Sequence, residues 1–330
     1  MLEYKELNNL ICTWYEGELK FSFLIFIKIS YIILKCSITN KSLLFNMEEI
    51  KYIIIPDVHG RDFWREAVKT YIDTNVVFIF LGDYLDPYPY EEIDNEYQGL
   101  LDIIEYKKMY PERFILLLGN HDLHYLTQSG RGSRWDRTAS ERNKKTFLDN
   151  INLFQIVYTD TVNDKKFLFS HAGILKDWIY VNHDRFNIEV PDENADYKIN
   201  DWTELPDFNK LFRCESTRDK FFDSIGDVSF HRGGYSQWGS IVWADVHEHL
   251  AAHERIPGVI QIFGHTQQEK DPINYDNTIY CLDCREPFAL TASGNIIRLC
   301  NGEEIPPINS EEEYKKELDR LNRFSAFFFW

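Results

Sequence analysis

Long hydrophobic runs are missing from this sequence. The stretch that comes nearest, FSFLIFIKISYIIL at 21–34, has fourteen residues and carries Lys28 inside it, whereas a membrane-spanning helix needs about 20. It also fails as a secretion signal, because Glu3, Glu6, Glu16 and Glu18 precede it and no A-x-A-like cleavage site follows. Membrane attachment is therefore not expected. Cysteine is sparse as well: Cys12, Cys36, Cys214, Cys281, Cys284 and Cys300 are scattered over 330 residues. That is too few for a disulfide scaffold and points to a reduced, cytoplasmic setting. Positive charge is in deficit, with 36 Lys and Arg against 53 Asp and Glu and a formal net charge of -17. Such a surface repels a polyanion, which excludes general nucleic-acid binding. Repeats and low-complexity linkers are absent too. What is present, 44% hydrophobic and 15% aromatic residues, suits a globular chain with a sizeable core.

MEEIKYIIIPDVHG leads straight into a strand, so the fold is expected to begin near Met47, with residues 1–46 an extension outside it. From Lys51 onward, apolar runs alternate with stretches of helical spacing. KYIIIPD, VVFIFLGD and RFILLLGNHD are three such runs, each ending in polar residues. Continuously apolar strands separated by helices predict an α/β layer protein whose sheet is covered on both faces. Functional residues then collect at the C-terminal strand ends. KKFLFSHAG and GVIQIFGHTQ repeat the pattern. The segment between them, Leu175–Pro257, has no strand rhythm and is expected to be a helical and loop insertion over the site. NTIYCLDC, PFALTA and NIIRLC are expected to close the sheet by residue 302, leaving 303–330 as a solvated helical tail.

Five strand ends carry O or N donors beside glycine: Asp57 and His59 before Gly60, Asp83 after Gly82, Asn120 and His121 after Gly119, His171 before Gly173, and His265 after Gly264. One such end is an ordinary turn. A series of five matches the needs of two divalent ions about 3.5–4 Å apart, which require hard donors and a shared carboxylate. Other features read more plainly. CLDC is a single CxxC motif, expected to be strand residues rather than a zinc site. His124 is expected behind His121 or at the surface. His247, His249 and His253 are expected on an exposed helix face, and Asp122 is expected to orient backbone.

In this order, Asp-x-His-Gly, Gly-Asp-x-x-Asp, Gly-Asn-His-Asp, His-Ala-Gly and Gly-His-Thr resemble the calcineurin-like metallophosphoesterase superfamily over about residues 51–300. The branch most resembled is that of phosphoprotein phosphatases and diadenosine tetraphosphate hydrolases. The resemblance implies a β-sandwich flanked by helices. It also implies two divalent ions, with Mn²⁺ expected and Fe or Zn²⁺ accepted by the same ligands. Asp57 and His59 would hold the first ion, Asp83 would bridge, and Asn120, His171 and His265 would complete the second. A hydroxide between the ions would attack phosphorus, and His121, paired with Asp86, would act as general acid. Three positions depart from the pattern: Gln267 stands where many members have a second histidine, Pro87 replaces the phosphate-gripping arginine of that branch, and Asp122 replaces a glutamate. Arg232, Arg134 and Arg131 are the candidates to supply the lost charge. The expected activity is that of a metal-dependent phosphatase on a small-molecule, nucleotide or phosphoprotein substrate. Its alternatives are a phosphodiesterase or dinucleoside polyphosphate hydrolase of the same fold, and a non-catalytic metal-bound scaffold.

Overall fold

The computed structural model describes residues 49–320 apart from 92, 94, 128–133, 187–201, 253–254, 269–270, 309–311, 314 and 318. The apolar stretch at 21–34, Arg131 and His253 lie outside the described residues. In chain order the elements are β1 Ile50–Ile55, α1 Phe63–Tyr71, β2 Val77–Phe80, α2 Glu96–Met109, β3 Phe114–Leu117, α3 Asn120–Leu126, α4 Ser140–Asp149, β4 Phe154–Gln155, β5 Tyr158–Val162 and β6 Lys165–Phe169. There follow α5 Lys176–Val181, α6 Phe208–Arg213, α7 Glu215–Ser224, α8 Val246–Ala251, β7 Ile260–Phe263, β8 Ile273–Tyr275, β9 Ile279–Cys281, β10 Phe288–Thr291 and β11 Ile296–Arg298.

The strands form two sheets, ordered β11-β10-β1-β2-β3-β4 and β5-β6-β7-β9-β8. The period-2 alternation of a strand sends neighbouring side chains to opposite faces, and that builds the layers. Tyr52, Ile54, Ile79, Leu81 and Leu117 meet Phe167, Phe169 and Ile262 of the second sheet in one core. Ile53, Ile55, Phe78, Phe80 and Leu116 face the other way, onto Trp64, Val68, Leu100 and Ile103 of the helices. Both faces are apolar because both are covered, so the strands read as unbroken hydrophobic runs. Each fully buried side chain of this kind contributes about 1.5–3 kcal/mol. The result is the sandwich flanked by helices that the family resemblance implies, whereas periodicity alone indicated only α/β layers.

Parallel pairing brings the functional ends together. β1, β2, β3 and β4 run parallel in succession, with Ile55 opposite Phe80 and Phe80 opposite Leu116. In the second sheet β6, β7 and β9 are parallel, with Phe169 opposite Ile262 and Phe263 opposite Cys281. Three strands escape the apolar-run criterion. β5 pairs with β6 and β8 with β9, across turns at Asn163-Asp164 and Asp276-Asn277 that take positive φ. These Asx pairs are hairpin signals, while the flanking polar residues hid the strands. β4 has only two residues. Among the described residues no helix is long and apolar enough to cross a membrane.

Candidate active site

The strand ends close on one another tightly enough that two glycines leave no room for a side chain. A Cβ on Gly119 would lie 2.1 Å from Oδ1 of Asp83 and 2.7 Å from Cε1 of His171. One on Gly264 would lie 2.1 Å from Oδ1 of Asp57. Gly119→Ala is therefore expected to destabilise the fold by about 1–3 kcal/mol through overpacking and to weaken any divalent-cation binding by these donors; urea unfolding and calorimetric titration check the two effects. The backbone is also held in sparsely populated conformations, with φ of 45° at His59, 53° at Asp83, 60° at Asp86, 65° at Arg134 and 62° at His265. Strained φ of this kind persists where the surroundings enforce it, and it clusters at functional sites.

Asp83 lies at the centre. Its Oδ2 is 3.5 Å from Nε2 of His59 and 3.5 Å from Nε2 of His171. The other nitrogen of each ring is committed: Nδ1 of His59 donates to the carbonyl of Leu85 at 2.8 Å, and Nδ1 of His171 to that of Leu81 at 2.9 Å. Each Nε2 therefore turns a lone pair toward the same carboxylate. Oδ1 of Asn120 (2.9 Å) and Nδ1 of His265 (3.1 Å) also crowd Nε2 of His171. Acceptors facing acceptors in a buried site suit a cation, and imidazoles tied to backbone carbonyls are what metal-ligating histidines show. Ligand atoms of Asp83, His171 and His265 lie within 4.8 Å of one another, as do those of His59, Asp83 and His121. Asp57 is buried too, and its carboxylate accepts the backbone N–H of His265 at 2.9 and 3.1 Å. Asp122 accepts the backbone N–H groups of Gly119, Asp83 and Tyr84, so it orients backbone.

A second constellation surrounds Asp86. Its Oδ2 accepts Nδ1 of His121 and Nδ1 of His124, each at 3.0 Å, and its Oδ1 accepts the hydroxyl of Tyr125. His124 is fully buried, so it is a partner of Asp86 and not a surface group. The signal was present in the sequence: His121, His124 and Tyr125 stand at i, i+3 and i+4 on one face of α3. These three donors account for the Asp86, His121 and His124 cluster without a metal.

A family model described as calcineurin-like phosphoesterase matches residues 50–269. The chain belongs to that family. It is a phosphoester hydrolase. Similar solved structures include a cold-active protein-tyrosine phosphatase of a psychrophilic Shewanella species, at 16% identity over 78% of this chain and 81% of that one, TM-score 0.49. Another is a protein serine/threonine phosphatase from Saccharomyces cerevisiae with similarity to human phosphatase PP5, at 12% identity over 80% and 82%, TM-score 0.44.

In this phosphoesterase, electrostatics push the cluster toward neutral forms. Burial, then the neighbouring Asp57, raises the Asp83 carboxyl well above the carboxylate range. Burial and Arg134 hold His59 and His121 well below the usual imidazole value, and burial with Arg232 does the same to His265. The candidate arginines differ in position. Arg134 reaches the place left open by Pro87: Nη1 donates to the carbonyl of Asp86 at 2.7 Å, Nη2 to Nε2 of His121 at 2.8 Å, and the guanidinium lies 3.8 Å from the Tyr88 ring centre. Arg232 instead braces the end of β7, donating to the carbonyl of His265 (3.0 Å) and to Oγ1 of Thr266 (2.8 Å), with Asp245 at 2.8 Å. Although burial works the other way, Arg232 and His247 hold the Asp245 carboxyl below its usual range. The segment that supplies Arg232 also lays Trp243 against His265, with ring centres 5.8 Å apart.

The histidines of α8 are not on an exposed face. His249 is buried, donates from Nε2 to the carbonyl of Ala172 at 2.9 Å and packs on Phe263, while His247 bonds Asp245. Glu248 between them is buried as well, accepting the hydroxyl of Ser229 at 2.5 Å and the backbone N–H of Gly239 at 2.7 Å. Cys281 is a buried strand residue whose single S–H lies within reach of the carbonyls of Gly264 and Thr266, at 3.3 and 3.4 Å.

Proposed function

We propose that this phosphoesterase hydrolyses phosphate monoesters at a centre of two divalent cations, with Asp57 and His59 on one, Asn120, His171 and His265 on the other, and Asp83 shared. The observation that carries the reading is the Oδ2 of Asp83, 3.5 Å from an imidazole nitrogen on each side. When bound, such cations supply a water acidified enough to attack phosphorus near neutral pH and screen the charge of the ester. The chain's own residues do the rest. His121 donates the proton that the leaving oxygen needs, through Nε2, while Asp86 fixes the ring through Nδ1 and is itself fixed by His124 and Tyr125. Arg134 grips the phosphate, its Nη2 passing from Nε2 of His121 to a phosphate oxygen as substrate arrives. That exchange frees the nitrogen that must carry the proton. A monoester dianion suits the charge of Arg134 and the two cations better than a diester does. Mn²⁺ is the ion of choice for the test, and Fe or Zn²⁺ also suits these donors.

Hydrolysis of an aryl phosphate monoester and the matching diester in Mn²⁺ tests the proposal. A preference for the monoester is expected. Arg134→Ala should lower its kcat/KM about ten- to a hundredfold, the value of a lost charge-assisted hydrogen bond. Preference for the diester would replace this reading with phosphodiester or dinucleoside polyphosphate hydrolysis.

A further inference from the structure

We infer that Asp283 is a further ligand of the first cation, beside Asp57 and His59. The inference rests on the two-cation reading above and adds a donor to it. Five strand ends supply that site, and a sixth reaches the same place. β9 runs parallel to β7 with Cys281 opposite Phe263, so Asp283 and His265 leave the same end of the sheet, each two residues past its strand. Leu282 still donates to the carbonyl of Phe263, and beyond it the register shifts, because Asp283 accepts the backbone N–H of Gln268, each bond at 2.8 Å.

Among the described residues nothing hydrogen-bonds one oxygen of this side chain. Asp283 is 2% exposed, and its Oδ1 is buried without a hydrogen-bond partner. Burying a carboxylate oxygen unpaired costs several kcal/mol, so such groups are normally bonded, paired or bound to metal. Among the charged groups around it, Asp57 acts most strongly, followed by Arg61, Asp83 and Arg285. Neither guanidinium is paired with it. Arg61 donates Nε to both carboxylate oxygens of Glu91, at 3.0 and 3.1 Å, and Nη1 to the carbonyl of Asp57. Arg285 donates to the Tyr90 hydroxyl and lies 3.7 Å from Glu91. Asp57 and Asp283 are thus both buried, and among the described residues neither carboxylate forms an ion pair, although Arg61 and Arg285 lie near enough to act on Asp283.

Gln267 does not compete for the role. Its amide is turned to the hydroxyl of Tyr88 (3.1 Å) and to Nε of Arg285 (3.0 Å). With Asp283 in place, the first cation has three carboxylates and one imidazole. That oxygen-rich set suits Mn²⁺ or another hard divalent ion better than Zn²⁺.

Calorimetric titration of Mn²⁺ into the metal-stripped full-length protein, with elemental analysis of bound metal, tests the inference on the wild type and on the isosteric Asp283→Asn. The wild type should bind two ions. The variant should keep one site at wild-type affinity and lose about tenfold or more at the other, the scale seen when metal-site residues are replaced. Melting gives a second readout: stripped of metal, the variant should melt above the wild type, because a buried repulsion is gone, and excess Mn²⁺ should raise its melting temperature less. Asp283→Ala, run in parallel, reads the same quantities if the asparagine variant shows no cooperative melt. Wild-type affinity at both sites of the variants would overturn the ligand role while leaving the two-cation reading intact. Fewer than two ions on the wild type would overturn that reading, and this inference with it.

Discussion

His121→Ala should lower kcat/KM for an alkyl phosphate monoester by about 10²–10⁴-fold, the usual contribution of a positioned general acid. A nitrophenyl phosphate, whose leaving group departs without a proton, should lose far less. The difference between the two substrates is the diagnostic quantity, since damage to the site as a whole would depress both alike. Elemental analysis should find the metal content unchanged, because the His121 side chain is held by Asp86 and Arg134. Metal loss, or equal losses on both substrates, would remove His121 from the acid role. The pH profile adds a sign. Burial and Arg134 disfavour the His121 proton in the free site, and a bound phosphate offsets the arginine. The alkaline limb of kcat/KM, which reports the free enzyme, should therefore lie at lower pH than that of kcat.

Asp83→Asn should have the larger effect. Its carboxylate stands between His59 and His171 and also accepts the backbone N–H of His121 at 2.9 Å. An amide that kept this hydrogen bond with its oxygen would turn NH₂ toward the two imidazole lone pairs, where a donor cannot ligate. Both cations should be lost and activity should fall by at least about 10⁴-fold, the removal of metal-ion catalysis as a whole. Two bound Mn²⁺ in the variant, counted by elemental analysis, would rule out the shared position.

Stability should move the opposite way. With its carboxyl raised by burial and by Asp57, metal-free folded protein holds a proton on Asp83 that the unfolded chain releases above about pH 4. The folded state is therefore penalised as pH rises past that value. The depressed His59, His121 and His265 act with the opposite sign between pH 5 and pH 7, so the Asp83 contribution is read by difference: the melting temperature of stripped Asp83→Asn should rise relative to that of the stripped wild type as pH goes from 5 to 7.

Much of this site was legible before any coordinates. Asp57, His59, Asp83, Asn120, His171 and His265 each follow an apolar run within four residues and have a glycine within three, so both signals are local in the chain. The same locality explains what escaped notice. The pairing of His124 and Tyr125 with Asp86 joins α3 to the loop after β2, 38 and 39 residues away. Asp283 sits in a CLDC run, and its arrival at the same sheet end as His265 depends on the parallel pairing of β7 and β9. Of the three candidate arginines, Arg131 lies outside the described residues. For Arg232 and Arg134 the sequence offered equal chemistry, because a guanidinium reaches several ångströms from its backbone and the surrounding loops decide where.

The sequence by itself determined the layered fold, the strand ends and the kinds of donor they carry, because hydrophobic period and glycine placement are written residue by residue. Only the tertiary structure decided which donors face one another, that Arg134 fills the space beside His121 while Arg232 braces β7, and that Asp283 is left buried and unpaired. Those outcomes depend on strand register and loop packing between residues far apart in the chain, which no local pattern encodes.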